Sequence, residues 1–169
     1  DSLRKLKISY RVVAGIKFYE RKEVKDLLSY LRCVVNDKDS LALSRVINVP
    51  VRGIGAITLR KIEDEAIKAD LSLWEMINKI EDHPDEYKFL RLSTKVKNGL
   101  RAFSGLIHES KILDEKKAKP SEIYEKLLHE SLYYESLESE KSYEAQARIE
   151  NLDELLSGIR QYEELEENP

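Results

Sequence analysis

The strongest constraint on the fold is a helical repeat of apolar residues that recurs along this 169-residue chain. Between residues 20 and 36 the apolar positions recur at spacings of three and four, as on one face of a helix: Val24, Leu27, Leu28, Leu31 and Val34. Comparable stripes appear in most later segments. Because only six Gly and four Pro interrupt them, the sequence predicts a mainly α fold of several helices.

Further helices are predicted over residues 41–47, 56–69, 72–80, 90–113 and 142–162. Ser72 and Glu75 match a capping box, and Ser121 is expected to cap another helix that carries Ile123, Leu127, Leu128 and Leu132 on one side. Residues 8–13 alternate and are rich in β-formers, so they predict one short N-terminal strand. Since a lone strand is unstable, it would have to pair with a sheet elsewhere.

Charge is divided unevenly along the chain. Residues 1–61 carry 14 Lys and Arg against 6 Asp and Glu, whereas residues 62–169 carry 15 against 26. The basic part is suited to a polyanion and the acidic part would repel one. The alternative is a solvated surface of uneven sign.

Residues for catalysis, cofactor binding or metal binding are missing. The sequence has no G-x-x-x-x-G-K-[ST] motif, so nucleotide chemistry is not expected in this chain. Its three histidines, His83, His108 and His129, are scattered and lack metal-ligand spacing. The single cysteine, Cys33, lies on a helix stripe and fits a reducing, cytoplasmic compartment. No apolar run reaches the ~18 residues of a membrane span.

The segment NVPVRGIGAITLRKI, residues 48–62, is the most informative motif. Glycine accepts positive φ and permits close approach of another backbone, so Gly53 and Gly55 predict a tight turn with Ile54 anchored in the core. The free amides at the start of the next helix, with the Thr58 hydroxyl, are suited to a phosphate. Positive charge around them comes from Arg52, Arg60 and Lys61. This predicts a helix–hairpin–helix contact with a DNA backbone; the alternative is a turn whose glycines serve only chain geometry.

Three segments in order resemble the UvrD/PcrA/Rep family of superfamily 1 DNA helicases: VVAGIKFYERKEVKDLLSYLR, then NDKDSLALSRVINVPVRGIGAITLRKI, then EAQARIENLDELLS. The first resembles the family pattern V-G-G-x-x-F-x-x-R-x-E-I-K-D. Ala14 and Val24 depart from that pattern, and the matching residues are Phe18, Arg21, Glu23, Lys25 and Asp26.

The resemblance implies the accessory subdomain 2B of an ATP-dependent 3′→5′ helicase, entered through the edge of motor subdomain 2A. It implies that residues 1–36 belong to 2A, residues 37–157 to 2B, and residues 158–169 to the end of the last helix and an acidic tail near the hinge. The block around Phe18 and Arg21 would pack against 2A or, alternatively, transmit motor movement. ATP and Mg²⁺ would bind elsewhere in the parent, and this chain would hold no cofactor.

The implied partner is the backbone of double-stranded DNA at a fork or junction, together with the other helicase subdomains and repair or replication proteins. The residues expected to bind DNA are Arg45, Arg52, Gly53, Ile54, Gly55, Thr58, Arg60 and Lys61. The alternative function is a protein-interaction or autoinhibitory module, in which the acidic helices after Ser121 dock on partners and DNA contact is slight.

Overall fold

The computed structural model describes residues 16–167. Within them the chain forms nine α-helices, one short 3-10 helix and no strand, so the predicted mainly α class is confirmed. The predicted strand over residues 8–13 lies outside the described residues. The helices are α1 (Ile16–Tyr19), α2 (Lys22–Val35), α3 (Ser40–Val46), α4 (Ala56–Lys68), α5 (Leu73–Asp82), α6 (Thr94–Glu115), α7 (Pro120–Glu130), α8 (Tyr133–Glu140) and α9 (Tyr143–Glu167), with the 3-10 helix at Lys88–Leu90.

Helix α2 lies at the centre of the fold and packs against α3, α6, α7 and α9. Its predicted apolar stripe is buried throughout, and Tyr30 is buried with it. A helix covered on more than one side must also bury polar residues, and in α2 these are Glu23, Asp26 and Ser29. Burying such groups costs free energy unless other groups satisfy them.

Asp26 is satisfied by three donors from different parts of the chain. Its carboxylate accepts from Lys22 Nζ at 2.7 Å, Arg45 Nε at 2.9 Å and the Tyr133 hydroxyl at 2.6 Å. The Asp26 carboxylate and burial both raise the pKa of Tyr133, with burial the larger cause. This cluster therefore ties α2 to α3 and α8.

Local sequence signals predicted one helix start correctly and two others incorrectly. The capping box of Ser72 and Glu75 is present at the start of α5, as predicted. Helix α6 begins at Thr94 rather than at residue 90, because Ser93 caps it and Arg91 before it is left-handed. The prediction that Ser121 caps a helix is wrong: α7 begins at Pro120, and proline is favoured in the first turn.

Ser121 instead receives a cap from the far end of the chain. The Glu163 carboxylate on α9 accepts from the Ser121 amide at 2.6 Å and from its hydroxyl at 2.9 Å. A carboxylate at a helix N-terminus satisfies free amides and is favoured by the helix dipole. This contact fixes α9 against the start of α7.

Helix α8 was not predicted. Leu132 was expected on the apolar stripe of α7. It has a φ of 69° and is exposed, and it lies between α7 and α8. The turn is held by Ser131, whose hydroxyl accepts from the Tyr133 amide at 3.2 Å. Tyr133 is thereby directed into the core beside α2.

One hydrophobic core connects the described helices, from Val24 in α2 to Ile159 in α9. The sequence-derived boundaries at residues 36 and 157 concern subdomains of a longer protein and stay predictions. In this chain α2 and α9 both contribute to the same core.

Candidate nucleic-acid interface

Residues 48–55, here called the Gly-Ile-Gly loop, connect α3 to α4. Its organising side chain is Asn48, whose Oδ1 accepts from the Arg52 amide at 2.7 Å and from the Ile54 amide at 3.0 Å. Sequence reasoning passed over Asn48, although asparagine is a frequent turn residue because its side chain bonds nearby backbone. The loop is therefore closed by a side chain inside it.

Arg52 turns inward and completes the end of α3. Its guanidinium donates to the carbonyl oxygens of Val46 at 2.9 Å and Ile47 at 2.8 Å, and to the Tyr30 hydroxyl at 2.7 Å. It also lies 5.2 Å from the ring centre of Phe103. Arginine can bridge several acceptors at once because its donors form a rigid fork. Its charge is thus used first to satisfy the last carbonyls of α3.

Tyr30 also contacts the C-terminal end of α3. Its hydroxyl contacts the Val49 carbonyl oxygen and lies 3.4 Å from that of Val46. Burial raises the pKa of Tyr30, although Arg52 opposes this, so the hydroxyl stays protonated and can donate. The loop therefore rests on a buried polar network.

The two glycines of the motif differ in what the fold demands of them. Gly53 has a φ of +80°, which side chains rarely adopt, and a Cβ there would meet the side chain of Lys95 on α6 at 2.9 Å. Gly55 is extended, with φ −73° and ψ 173°, and a Cβ there would have nothing within 4 Å. Neither backbone conformation nor internal packing therefore requires glycine at position 55.

Helix α4 begins directly after Gly55 without a side-chain cap. Its first hydrogen bond to the loop runs from the Leu59 amide to the Gly55 carbonyl at 2.9 Å. Among the described residues no acceptor is bonded to the amides of Ala56, Ile57 and Thr58, which is the usual state of a first turn. Gly55, Ala56 and Ile57 are exposed, and Thr58 is half-buried.

The other predicted site residues differ in burial and in their partners. Ile54 is 1% exposed, as its anchoring role requires, and its amide is bonded to Asn48. Arg45 is bonded to Asp26 at 2.9 Å. Arg60 and Lys61 are exposed on α4, and within residues 16–167 neither pairs with a carboxylate.

Across residues 16–167 no group of three or more His, Cys, Asp or Glu side chains is placed to hold a metal ion. Cys33 is buried, and burial raises the pKa of its thiol to about 12. In the same part of the chain no helix is long and apolar enough to cross a membrane.

The chain belongs to the UvrD-like helicase C-terminal domain family, whose family model matches residues 1–169.

Curated relatives of the chain include ATP-dependent DNA helicases called PcrA. The protein of Bacillus subtilis is 38% identical over 168 residues, covering 99% of this chain and 22% of the relative. Those of Staphylococcus epidermidis and Staphylococcus aureus are each 38% identical over 164 residues, covering 97% of this chain and 21% of the relative. The chain spans about a fifth of the length of the curated relatives it matches.

Proposed function

We propose that the chain is the 2B subdomain, with the adjoining edge of 2A, of an ATP-dependent 3′→5′ DNA helicase. In this proposal residues 1–36 belong to 2A, residues 37–157 form 2B, and residues 158–169 lead to the hinge. The Gly-Ile-Gly loop and the start of α4 grip the backbone of double-stranded DNA at a fork or junction. The orientation of this unit regulates the motor.

The observation that carries the proposal is the open face of Gly55. The fold does not need glycine there, since the backbone is extended and a Cβ would meet nothing. A group arriving from outside does benefit, because a bare backbone lets it approach the free amides at the start of α4. A phosphate oxygen fits this position, since it accepts hydrogen bonds and is attracted to a helix N-terminus.

The nearby side chains have different roles in the proposed binding. The exposed Arg60 and Lys61 supply charge to a phosphate, and Thr58 supplies a hydroxyl in the first turn. Arg52 and Arg45 act as supports, since one holds the end of α3 and the other pairs with Asp26. Gly53 and Ile54 hold the loop in shape, the first by its positive φ and the second by burial.

ATP and Mg²⁺ are proposed to act in the motor subdomains of the parent, which works in the cytoplasm in DNA repair or replication. The name of the relatives, ATP-dependent DNA helicase, supports this assignment. A grip of two to four phosphates corresponds to weak binding, on the order of 10⁻⁴–10⁻⁶ M. Tight binding in the parent would come from several subdomains that act together.

The test is a titration of the isotopically labelled chain with a short DNA duplex, followed by NMR at low and then raised salt. We expect salt-sensitive shifts in the amides of residues 53–61. In the same assay Gly55→Ala should weaken binding several-fold while costing about 1 kcal/mol or less of stability at the helix cap. The absence of shifts in residues 53–61 at millimolar duplex would reject the proposal.

A second candidate function is protein docking by the acidic helix α9. Tyr143 and Leu165, near the two ends of that helix, are 97% and 70% exposed. Under this alternative the variant Arg60→Gln/Lys61→Gln would leave the activity of the parent helicase intact. Under the duplex-binding proposal the same variant weakens duplex affinity and lowers its salt dependence.

A further inference from the structure

A cavity of about 170 Å³ lies between α5 and α6, and its lining includes the segment that joins these helices. Its apolar lining comes from Ile80 on α5, Leu100 on α6 and, between them in sequence, Tyr87 and Leu92. Ile80 and Leu100 are also members of the hydrophobic core, so they line the inner part of the cavity. The cavity therefore has room and an apolar contact surface for one large apolar side chain.

The apolar surface continues outside the cavity. Phe89 is 60% exposed, and its ring centre lies 6.0 Å from that of Tyr87. Aromatic side chains are enriched where proteins contact one another, because they bury a large apolar area at little cost in conformational entropy. Phe89 thus extends the contact that a partner could make with the cavity.

Four cations surround this apolar lining: Lys88, Arg91, Lys97 and Arg101. All four are exposed. Lys88 forms a 3.3 Å pair with Asp85 at the surface. Within residues 16–167 the other three have no carboxylate within ion-pair distance. The rim of the cavity is therefore positively charged and suited to an acidic partner.

Glu81 is the one carboxylate in the lining, and it restricts the chemistry of that partner. Its two oxygens accept from the Ser104 hydroxyl at 2.8 and 2.9 Å, and burial raises its pKa. A carboxylate can accept further hydrogen bonds, since it has about four acceptor positions. A phosphodiester backbone offers it no donor and brings no apolar group to the cavity. A polypeptide offers backbone N–H groups and side chains of both kinds, so the lining fits a peptide better.

We infer that this cavity is a docking site for an acidic peptide segment of a partner protein. One apolar side chain of the segment, of the size of leucine or phenylalanine, fills the cavity. Glutamate or aspartate residues on either side of it pair with the rim cations, and a backbone amide donates to Glu81. The inference goes beyond the proposed function, because it requires no DNA at the Gly-Ile-Gly loop.

The test uses three synthetic pentapeptides with blocked ends, Glu-Glu-X-Glu-Glu, in which X is leucine, phenylalanine or glycine. Each is titrated into the isotopically labelled whole chain and followed by NMR at low salt. We expect saturable shifts in the amides of residues 80–101 with the leucine and phenylalanine peptides. These should bind about tenfold or more tightly than the glycine peptide, since burial of the side chain supplies the difference.

The rim is tested by Arg91→Gln/Lys97→Gln, with Lys116→Gln/Lys117→Gln as the matched control. Each pair contains one residue of left-handed backbone, Arg91 with φ 53° and Lys117 with φ 61°, so the change in backbone strain is alike. The control lysines are exposed at the other end of α6, roughly 30 Å from Lys97 at 1.5 Å per residue. The rim variant should bind the leucine peptide several-fold more weakly, and the control should match the parent chain. Unchanged amide shifts elsewhere in each variant check that it folds.

Several results would overturn the inference. They are no binding of any peptide at millimolar concentration, equal binding of the leucine and glycine peptides, and an equal loss in the control variant, which would indicate a net-charge effect. A short DNA duplex that shifts residues 80–101 when no peptide does would assign this surface to nucleic acid. The proposed function is judged separately, by duplex-induced shifts in residues 53–61, so either proposal can fail while the other stands.

Discussion

Replacing Gly99 by alanine tests how the Gly-Ile-Gly loop is held in place. Gly99 is buried in α6, and a Cβ there would overlap the carbonyl oxygen of Arg52 and stand 3.1 Å from its Cβ. That carbonyl cannot move easily, because the Arg52 amide is bonded to Asn48 and its guanidinium to the end of α3. The added methyl group must therefore displace the loop or α6.

Two opposing terms set the magnitude. In a helix interior, glycine to alanine is favourable by about 1 kcal/mol. Overpacking against a fixed neighbour costs about 1–3 kcal/mol. A backbone oxygen within contact distance belongs at the upper end of that range, so we expect a net destabilisation of about 1–2 kcal/mol.

Gly105→Ala provides the matched control on the same helix. A Cβ at Gly105 would have nothing within 4 Å, so the helix propensity acts alone and should stabilise the chain by about 1 kcal/mol. The two variants should then differ by about 2–3 kcal/mol in urea unfolding. At about 2–4 °C per kcal/mol for a chain of this size, their Tm values should differ by about 4–12 °C. Equal stabilisation by both substitutions would refute the tight contact between Gly99 and Arg52.

Three other predictions concern the buried polar groups and the thiol. Arg52→Lys should lower the free energy of unfolding by about 2–3 kcal/mol, because the single nitrogen of an ammonium cannot reach the three acceptors that two guanidinium nitrogens bond. Arg60→Lys is the control, and equal small effects would contradict the inward role of Arg52. Tyr133→Phe removes a hydrogen bond to the buried Asp26 carboxylate and should cost about 1.5–3 kcal/mol in thermal unfolding, whereas a neutral result would argue against the cluster. Cys33 is buried and its pKa is raised to about 12, so iodoacetamide at pH 8 should label it only after urea unfolds the chain. Labelling of the native chain as fast as free cysteine would place Cys33 at the surface.

The helices were predictable because burial imposes its period on the sequence. The stripe of α2 and the capping box of Ser72 are local patterns, and the structure confirms both. Helix α8 was missed because its start depends on a left-handed Leu132, a residue type that does not signal this conformation. The cap at Ser121 was misassigned because its partner, Glu163, lies 42 residues away.

In the candidate site, too, the features set by neighbouring residues were predictable and those set by residues distant in sequence were not. Its motif was visible in sequence because the two glycines stand close together. The sequence did not show that Gly53 and Gly55 differ in packing, since the difference depends on Lys95, which α6 brings to Gly53. The inward turn of Arg52 depends likewise on Tyr30.

The Asp26 cluster has a consequence for how the chain is made. Its Tyr133 contact joins residues 107 positions apart, and α2 also packs against α9, which is synthesised after it. While the chain is still growing on a ribosome, α2 lacks these partners, and the Asp26 carboxylate has only Lys22 and Arg45 as donors. The segment that forms the Gly-Ile-Gly loop is synthesised before α8 and α9, so its support through α2 becomes complete only after those two helices have emerged.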